Sequence, residues 1–237
     1  MTAGGWWGEL GRLVLPVQCA GCGRDDVAWC AACRAPLSGP VWRCEERAGR
    51  LDLLGAEPAL PVWTLADFLG PLRAAVVAWK DHGRLDLTRP LAEAMVSAGH
   101  QVGACLGSRS LLVVPAPSSP GAERRRGGSL VGELAVAAAA GCTAAGSPAT
   151  ARAVLVRRGG DQVGLGARDR WLNLAGHVRV RRRDRGRLRG SRVLLLDDVL
   201  TTGATLAACR AALEAHGATV LGALTLASTP PPGGVSG

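Results

Sequence analysis

The fourteen residues Arg192-Val-Leu-Leu-Leu-Asp-Asp-Val-Leu-Thr-Thr-Gly-Ala-Thr205 constrain the chain more than any other stretch. The apolar run 193–196 is too short for a helix and is flanked by polar residues, which predicts a buried strand. Two adjacent carboxylates, Asp197 and Asp198, follow it, and then a polar loop, Thr201-Thr202-Gly203-Ala204-Thr205. Residues 206–216 are rich in helix formers and are stopped by Gly217. Strand, acidic pair, Thr/Gly loop and helix, in that order, place a phosphate at the carboxyl end of a strand in a parallel α/β sheet.

Residue types narrow the ligand. Backbone N–H groups of the loop and the helix start point at an anion, and Gly203 lets the main chain approach it closely. Thr201, Thr202 and Thr205 add hydroxyl donors for phosphate oxygens. Ionised carboxylates only accept, so Asp197 and Asp198 suit sugar hydroxyls or a magnesium ion better than the phosphate itself. A ribose 5-phosphate, with a phosphate at one end and a diol at the other, satisfies both halves. An acidic strand end of the Walker B kind, or an ordinary βα turn, would use some of the same residues. A G-x-x-x-x-G-K-[ST] loop to accompany a Walker B strand is absent from the sequence.

Residues 194–205, Leu-Leu-Leu-Asp-Asp-Val-Leu-Thr-Thr-Gly-Ala-Thr, resemble the phosphoribosyl-diphosphate (PRPP) signature of type I phosphoribosyltransferases. The resemblance implies a ribose 5-phosphate ligand held by Asp197 and Asp198 as the catalytic pair and by Val199, Leu200, Thr201, Thr202, Gly203, Ala204 and Thr205 as the binding loop.

At 237 residues the chain can bury one good core plus a small appendage, and 48% hydrophobic content argues for a globular protein. The net charge of +9 is unevenly spread: residues 1–150 carry 14 basic and 13 acidic side chains, residues 151–237 carry 14 and 6. Within 179–192, eight arginines stand against Asp184 alone. Such a stretch attracts phosphorylated small molecules or nucleic acid, although a solvated hairpin would carry it equally well. Glu9 and the lack of an apolar run argue against a secretory signal, and no uncharged apolar stretch is long enough to span a membrane. The expectation is a cytoplasmic protein, in which the eight cysteines are thiols or metal ligands and not disulfides.

Two C-x-x-C pairs, Cys19/Cys22 and Cys30/Cys33, lie close together near the start. Each can form a knuckle, and together they supply the four thiolates of a tetrahedral zinc site, with Gly23 permitting the tight turn that aims N–H groups at sulfur. Four protein ligands would close the site, so the expected role is structural zinc. Cys44 is left over, and Cys105, Cys142 and Cys209 read as small core hydrophobes.

Along the rest of the chain, Trp6, Trp7, Leu10, Leu13 and Val14 fall at helical spacing before Pro16. Residues 46–61 read as a linker. A strand is expected at 62–66 and a helix at 71–80, with Pro71 in its first turn and Gly83 past its end. Lys80 and Arg84 close that helix and could face the phosphate site, while a solvated cation at a helix C-terminus is the plainer reading. A further helix is expected at 89–98. A second strand at 111–114 ends in Pro115-Ala-Pro117-Ser118 and then Arg124-Arg125-Arg126, as a diphosphate would need. A helix at 129–141, a strand at 153–156, a loop at 157–177, a strand at 177–180 paired as a hairpin with 193–196, and a last strand at 220–227 complete the reading.

Order and spacing together resemble the ComF family, in which a cysteine knuckle precedes a phosphoribosyltransferase-like domain implicated in DNA uptake during natural competence. The resemblance rests on the PRPP signature, on Val114-Pro115-Ala116-Pro117 with Arg125-Arg126-Gly127, and on Gln162, Leu165, Arg168 and Asn173. Three positions depart from it: Gly128-Ser129-Leu130 stands where Phe-Asn-Gln is usual, His177 where Phe is common, and Cys44 alone remains of a second cysteine pair. What it implies is an α/β, type I phosphoribosyltransferase-like domain at 62–229, a Rossmann-like parallel sheet flanked by helices. A short helix plus a four-cysteine zinc module at 1–45, the linker at 46–61 and a disordered tail at 230–237 would accompany it. PRPP would bind with Mg2+. Ser118, Arg125 and Arg126 would face the diphosphate, Arg168 would lie on a closing loop, and Lys80 would join the substrate site. Single-stranded DNA or the DNA-uptake machinery would be partners; the oligomeric state is not specified.

Overall fold

A computed structural model describes residues 17–49, 51, 60–118, 121, 128–157 and 178–231. The expected N-terminal helix, Arg125, Arg126, the loop carrying Gln162 and Arg168, and most of the tail lie outside the described residues.

A six-stranded sheet carries the fold. Its strands are β1 (Trp42–Arg43), β2 (Val62–Asp67), β3 (Leu111–Pro115), β4 (Ala149–Ala151), β7 (Arg192–Leu200) and β8 (Thr219–Ser228). They lie in the order β1-β2-β8-β7-β3-β4. All neighbours are parallel except β1, which runs antiparallel on the edge beside β2. Central strands of a parallel sheet are covered on both faces, which is why β7 reads as an unbroken apolar run. Leu194 and Leu196 join the core under one layer, and Val193 and Leu195 join the other, as period-two alternation requires.

The first layer contains α2 (Gly70–Asp81), α3 (Thr88–Leu106) and α4 (Leu130–Ala144). The α3 helix runs well past the expected 98, because its buried positions continue through Ala98, Gly99, Val102 and Gly103. Glycine permits the close α3–α4 crossing: a Cβ on Gly99 would sit 2.2 Å from the Ala138 carbonyl oxygen, and one on Gly141 2.0 Å from that of Val96. Ser129 caps α4 by accepting from the Gly132 N–H at 3.1 Å. Cys142, in this crossing, is buried as expected; Cys105 is exposed and is not a core residue.

The second layer is α6 (Ala204–Glu214) together with a small antiparallel pair, β5 (Leu155–Arg157) and β6 (Val178–Val180). The expected hairpin between β6 and β7 is not formed. Both edges of β7 are taken by β3 and β8, so β6 turns to β5 instead. The arginine-rich stretch between β6 and β7 folds as a 3-10 turn, Arg182–Asp184, followed by the single turn α5 (Arg185–Leu188), anchored by buried Leu188.

The knuckle residues, including the one-turn helix α1 (Ala31–Arg34), pack into the same core as the sheet. Cys19, Trp29, Cys30, Cys33 and Leu37 share a buried cluster with Leu65, Leu72 and Trp79. Arg84 ties the two regions together by donating to the Gln18 and Ala28 carbonyls at 3.1 and 3.0 Å. It therefore serves the knuckle and does not face the phosphate site.

Candidate functional site

The four cysteines of the knuckle converge. Their sulfurs all lie within 4.8 Å of one another, and Cys22 Sγ is 3.8 Å from Cys30 Sγ. Zinc–thiolate bonds of about 2.3 Å in a tetrahedron give sulfur–sulfur edges of about 3.8 Å, so the donor set fits zinc. Gly23 takes the left-handed φ of 75° that the tight turn needs. Gly21 is wedged in: a Cβ there would lie 2.8 Å from Cys33 Sγ and 3.0 Å from Pro71. Burial disfavours a thiolate at Cys19, but N–H groups of Cys30, Cys22 and Gly21 aimed at its sulfur outweigh that and bring its pKa down to about 6. The Cys33 backbone N–H likewise lowers Cys30, whereas burial beside the other three sulfurs pushes Cys33 well up. Four sulfurs this close cannot all ionise without a cation between them. Cys44 stands apart: its buried thiol donates to the Val62 carbonyl at 3.6 Å, and burial pushes its pKa up to about 12.

The second site lies at the carboxyl end of β7. The sequence reading ends the strand at Leu196, with Asp197 and Asp198 following it; in the structure both lie within the strand. Strand β8 runs on to Ser228 and offers ladder partners to Asp197, Val199 and Leu200, so β7 continues to Leu200. The loop is thereby shortened to Thr201–Thr202–Gly203, and Ala204 and Thr205 belong to the first turn of α6.

Both carboxylates reach the space at the carboxyl end of the strand. Asp198 faces α2, where its Oδ2 lies 2.5 Å from Lys80 Nζ; the carboxylate is buried and the lysine half-exposed. Its Oδ1 accepts from the Val199 N–H at 2.9 Å. Asp197 Oδ1 accepts from the Asp198 N–H, also at 2.9 Å. Burial, reinforced by the charge of Asp198 and only partly offset by Lys80, holds the Asp197 carboxyl well above the usual carboxylate range. Desolvation tends to lower Lys80, but the charges of Asp198, Asp197 and Asp81 overcome it and hold the ammonium above its ordinary pKa.

Gly203 heads α6 with φ 79°, a left-handed conformation that disfavours a side chain. A Cβ there would also lie 2.6 Å from Leu51 and 3.0 Å from Ala48. Residues from the N-terminal third thus brace the loop from behind. The first N–H groups of α6 have no acceptor within the helix and present partial positive charge to the space above the loop.

These groups surround a cavity of about 530 Å³. Asp197, Asp198, Val199, Thr201 and Thr205 line it, joined by Ser118 from the end of β3 and by Lys80. Leu200 and Ala204 are buried in the core, and Thr202 is exposed. Sequence reasoning did not single out the apolar wall of Phe68, Val76, Val77 and Val131, nor the charged Asp81 and Arg157. Arg157 ends β5, and its place at the pocket follows from β5 pairing with β6 behind α6, which no local pattern announces. A larger groove of about 940 Å³ lies between the knuckle, Trp42, the Arg47–Asp67 ion pair and residues 229–231; it contains none of the expected PRPP residues.

The family model of the phosphoribosyl transferase domain matches residues 147–233. That span holds β4 to β8, and with them the carboxylate pair, the Thr/Gly loop and α6. No curated protein matches the chain. The described fold is a mixed α/β one, a mostly parallel sheet flanked by helices, with a cysteine cluster that could hold zinc, and its carboxyl-terminal part is similar to the phosphoribosyl transferase domain. Among the described residues no helix is long and apolar enough to cross a membrane.

Proposed function

We propose that the cavity at the end of β7 binds PRPP and that this chain is a ComF-type protein acting in DNA uptake. The observation that carries the reading is the convergence of an Asp197–Asp198 pair, held by Lys80, with the glycine-led start of α6 in one cavity. Helix N–H groups with Thr201 and Thr205 take the 5-phosphate. Asp197 and Asp198 accept from the ribose 2- and 3-hydroxyls. Ser118, Lys80 and Arg157 supply the side of the pocket nearest the diphosphate, with Arg125, Arg126 and Arg168 as further contributors. Asp197 is the carboxylate better suited to help hold Mg2+, because Asp198 is already paired with Lys80. The ion, when bound, would offset diphosphate charge as that group leaves.

Turnover is tested by following diphosphate release from PRPP with magnesium across a panel of nitrogen nucleophiles. An enzyme releases diphosphate with at least one of them. A protein that is stabilised by PRPP yet releases none with any acceptor uses the pocket for binding alone.

A second reading, contact with single-stranded DNA, is favoured by exposed Arg182, Arg183, Arg185, Arg187 and Arg189 around buried Asp184. In it the logarithm of affinity falls steeply with the logarithm of salt, and neutralising these arginines flattens the slope.

A further inference from the structure

At the amino end of β7, about 17 Å along the strand from Asp197, lies a second cavity of about 620 Å³. Four arginines from four elements line it: Arg109 from the α3–β3 connection, Arg152 after β4, Arg187 on α5 and Arg192 opening β7. Among the described residues no carboxylate lines it, while Ser110 and Thr150 add hydroxyls. The arginines are partly fixed in place. Arg192 donates to the Leu106 and Arg109 carbonyls at 2.7 and 3.2 Å. Arg152 and Arg187 lie 3.7 and 4.0 Å from one Asp184 oxygen, and Arg183 lies 3.6 Å from the other. One buried carboxylate thus stands against three guanidiniums, and the cleft keeps a large positive excess.

We propose that this cleft is a binding site for a short chain of phosphoryl groups, free or carried on a nucleoside, separate from the PRPP pocket. Converging guanidiniums recognise closely spaced phosphate oxygens through paired, charge-assisted hydrogen bonds. The volume suits a compact ligand. No aromatic side chain lines the cleft among the described residues, so it has no platform for stacking bases, which disfavours a single strand of nucleic acid as its occupant.

The test is calorimetric titration of inorganic tripolyphosphate into the full chain and into two charge-matched double variants. Arg109→Gln/Arg187→Gln removes two cleft arginines; Arg182→Gln/Arg185→Gln removes two from the same basic region that do not line the cleft. The expected result is a loss of about tenfold or more in affinity for the first and less than about twofold for the second. Thermal midpoints report whether both variants are folded, and Arg109→Glu alone provides the same test if the first double variant is not. Orthophosphate is expected to bind at least about tenfold more weakly than tripolyphosphate. A nucleoside triphosphate binding as tightly as tripolyphosphate means the phosphate chain alone is read; tighter binding identifies a nucleotide source. No binding, binding that survives Arg109→Gln/Arg187→Gln, or equal losses in both double variants overturns the proposal. An oligothymidylate that outcompetes tripolyphosphate with equal dependence on both arginine pairs overturns it in favour of a nucleic-acid surface.

Discussion

Cys19, Cys22, Cys30 and Cys33 come from fifteen consecutive residues, whereas the walls of the β7 pocket come from α2, β3, α4, β5, β7 and α6. The knuckle is local in sequence and needs only two tight turns to bring its donors within range. The pocket exists only once a parallel sheet has aligned strands from distant parts of the chain. Yet the two are mechanically joined: Gly21 abuts Pro71 at the start of α2, and the last turn of α2 carries Lys80, the partner of Asp198.

Disabling the four-cysteine cluster that could hold zinc is the strongest way to probe that join. With Cys19, Cys30 and Cys33 buried in the common core, chelation or Cys33→Ser is expected to lower the unfolding midpoint by about 10 °C or more. It should also weaken PRPP-induced stabilisation. A fall in midpoint with PRPP binding unchanged would show the knuckle and the pocket to be independent.

Gly203→Ala addresses the pocket alone. The left-handed backbone and the close approach of Leu51 predict a loss of about 2 kcal/mol, read by denaturant unfolding, while the knuckle's metal content stays at the wild-type level.

Lys80→Met leaves Asp198 buried without its cation. Because the lysine is half-exposed, the expected loss is discounted to about 1 kcal/mol. Held above its ordinary value, Lys80 contributes stability that is complete below 10.5 and is lost as pH rises through its folded value. Unfolding measured from neutral to strongly alkaline pH should show that decline in the wild type and a smaller one in the variant.

Asp197→Asn should do the reverse. A carboxyl raised in the folded state favours folding below its ordinary 3.8 and loses that contribution as pH climbs through the folded value. At neutral pH the amide is therefore expected to raise the midpoint by a few degrees while removing PRPP binding. A lower midpoint would mean that Asp197 is not strained by its surroundings.

The convergence of the cysteines and the turn from strand to helix at the Thr/Gly loop were legible in the sequence because each rests on a short local pattern. The helix at 71–80 was legible as well, from Pro71 and Gly83. What could not be read depended on pairing. The continuation of β7 through both aspartates depends on how far β8 runs, and the fate of β6 depends on which edges remain open. Whether Lys80 is a solvated helix end or the partner of Asp198 depends on how α2 docks. Arg157 could not be assigned for the same reason.

The most direct test of the central claim is calorimetric titration of PRPP, with and without magnesium, into the wild type and into Asp197→Asn/Asp198→Asn. The account predicts one saturable, magnesium-dependent PRPP site per chain in the wild type and the loss of that magnesium-dependent site in a folded double variant. Equal binding by both proteins, or no binding by the wild type under either condition, would contradict it.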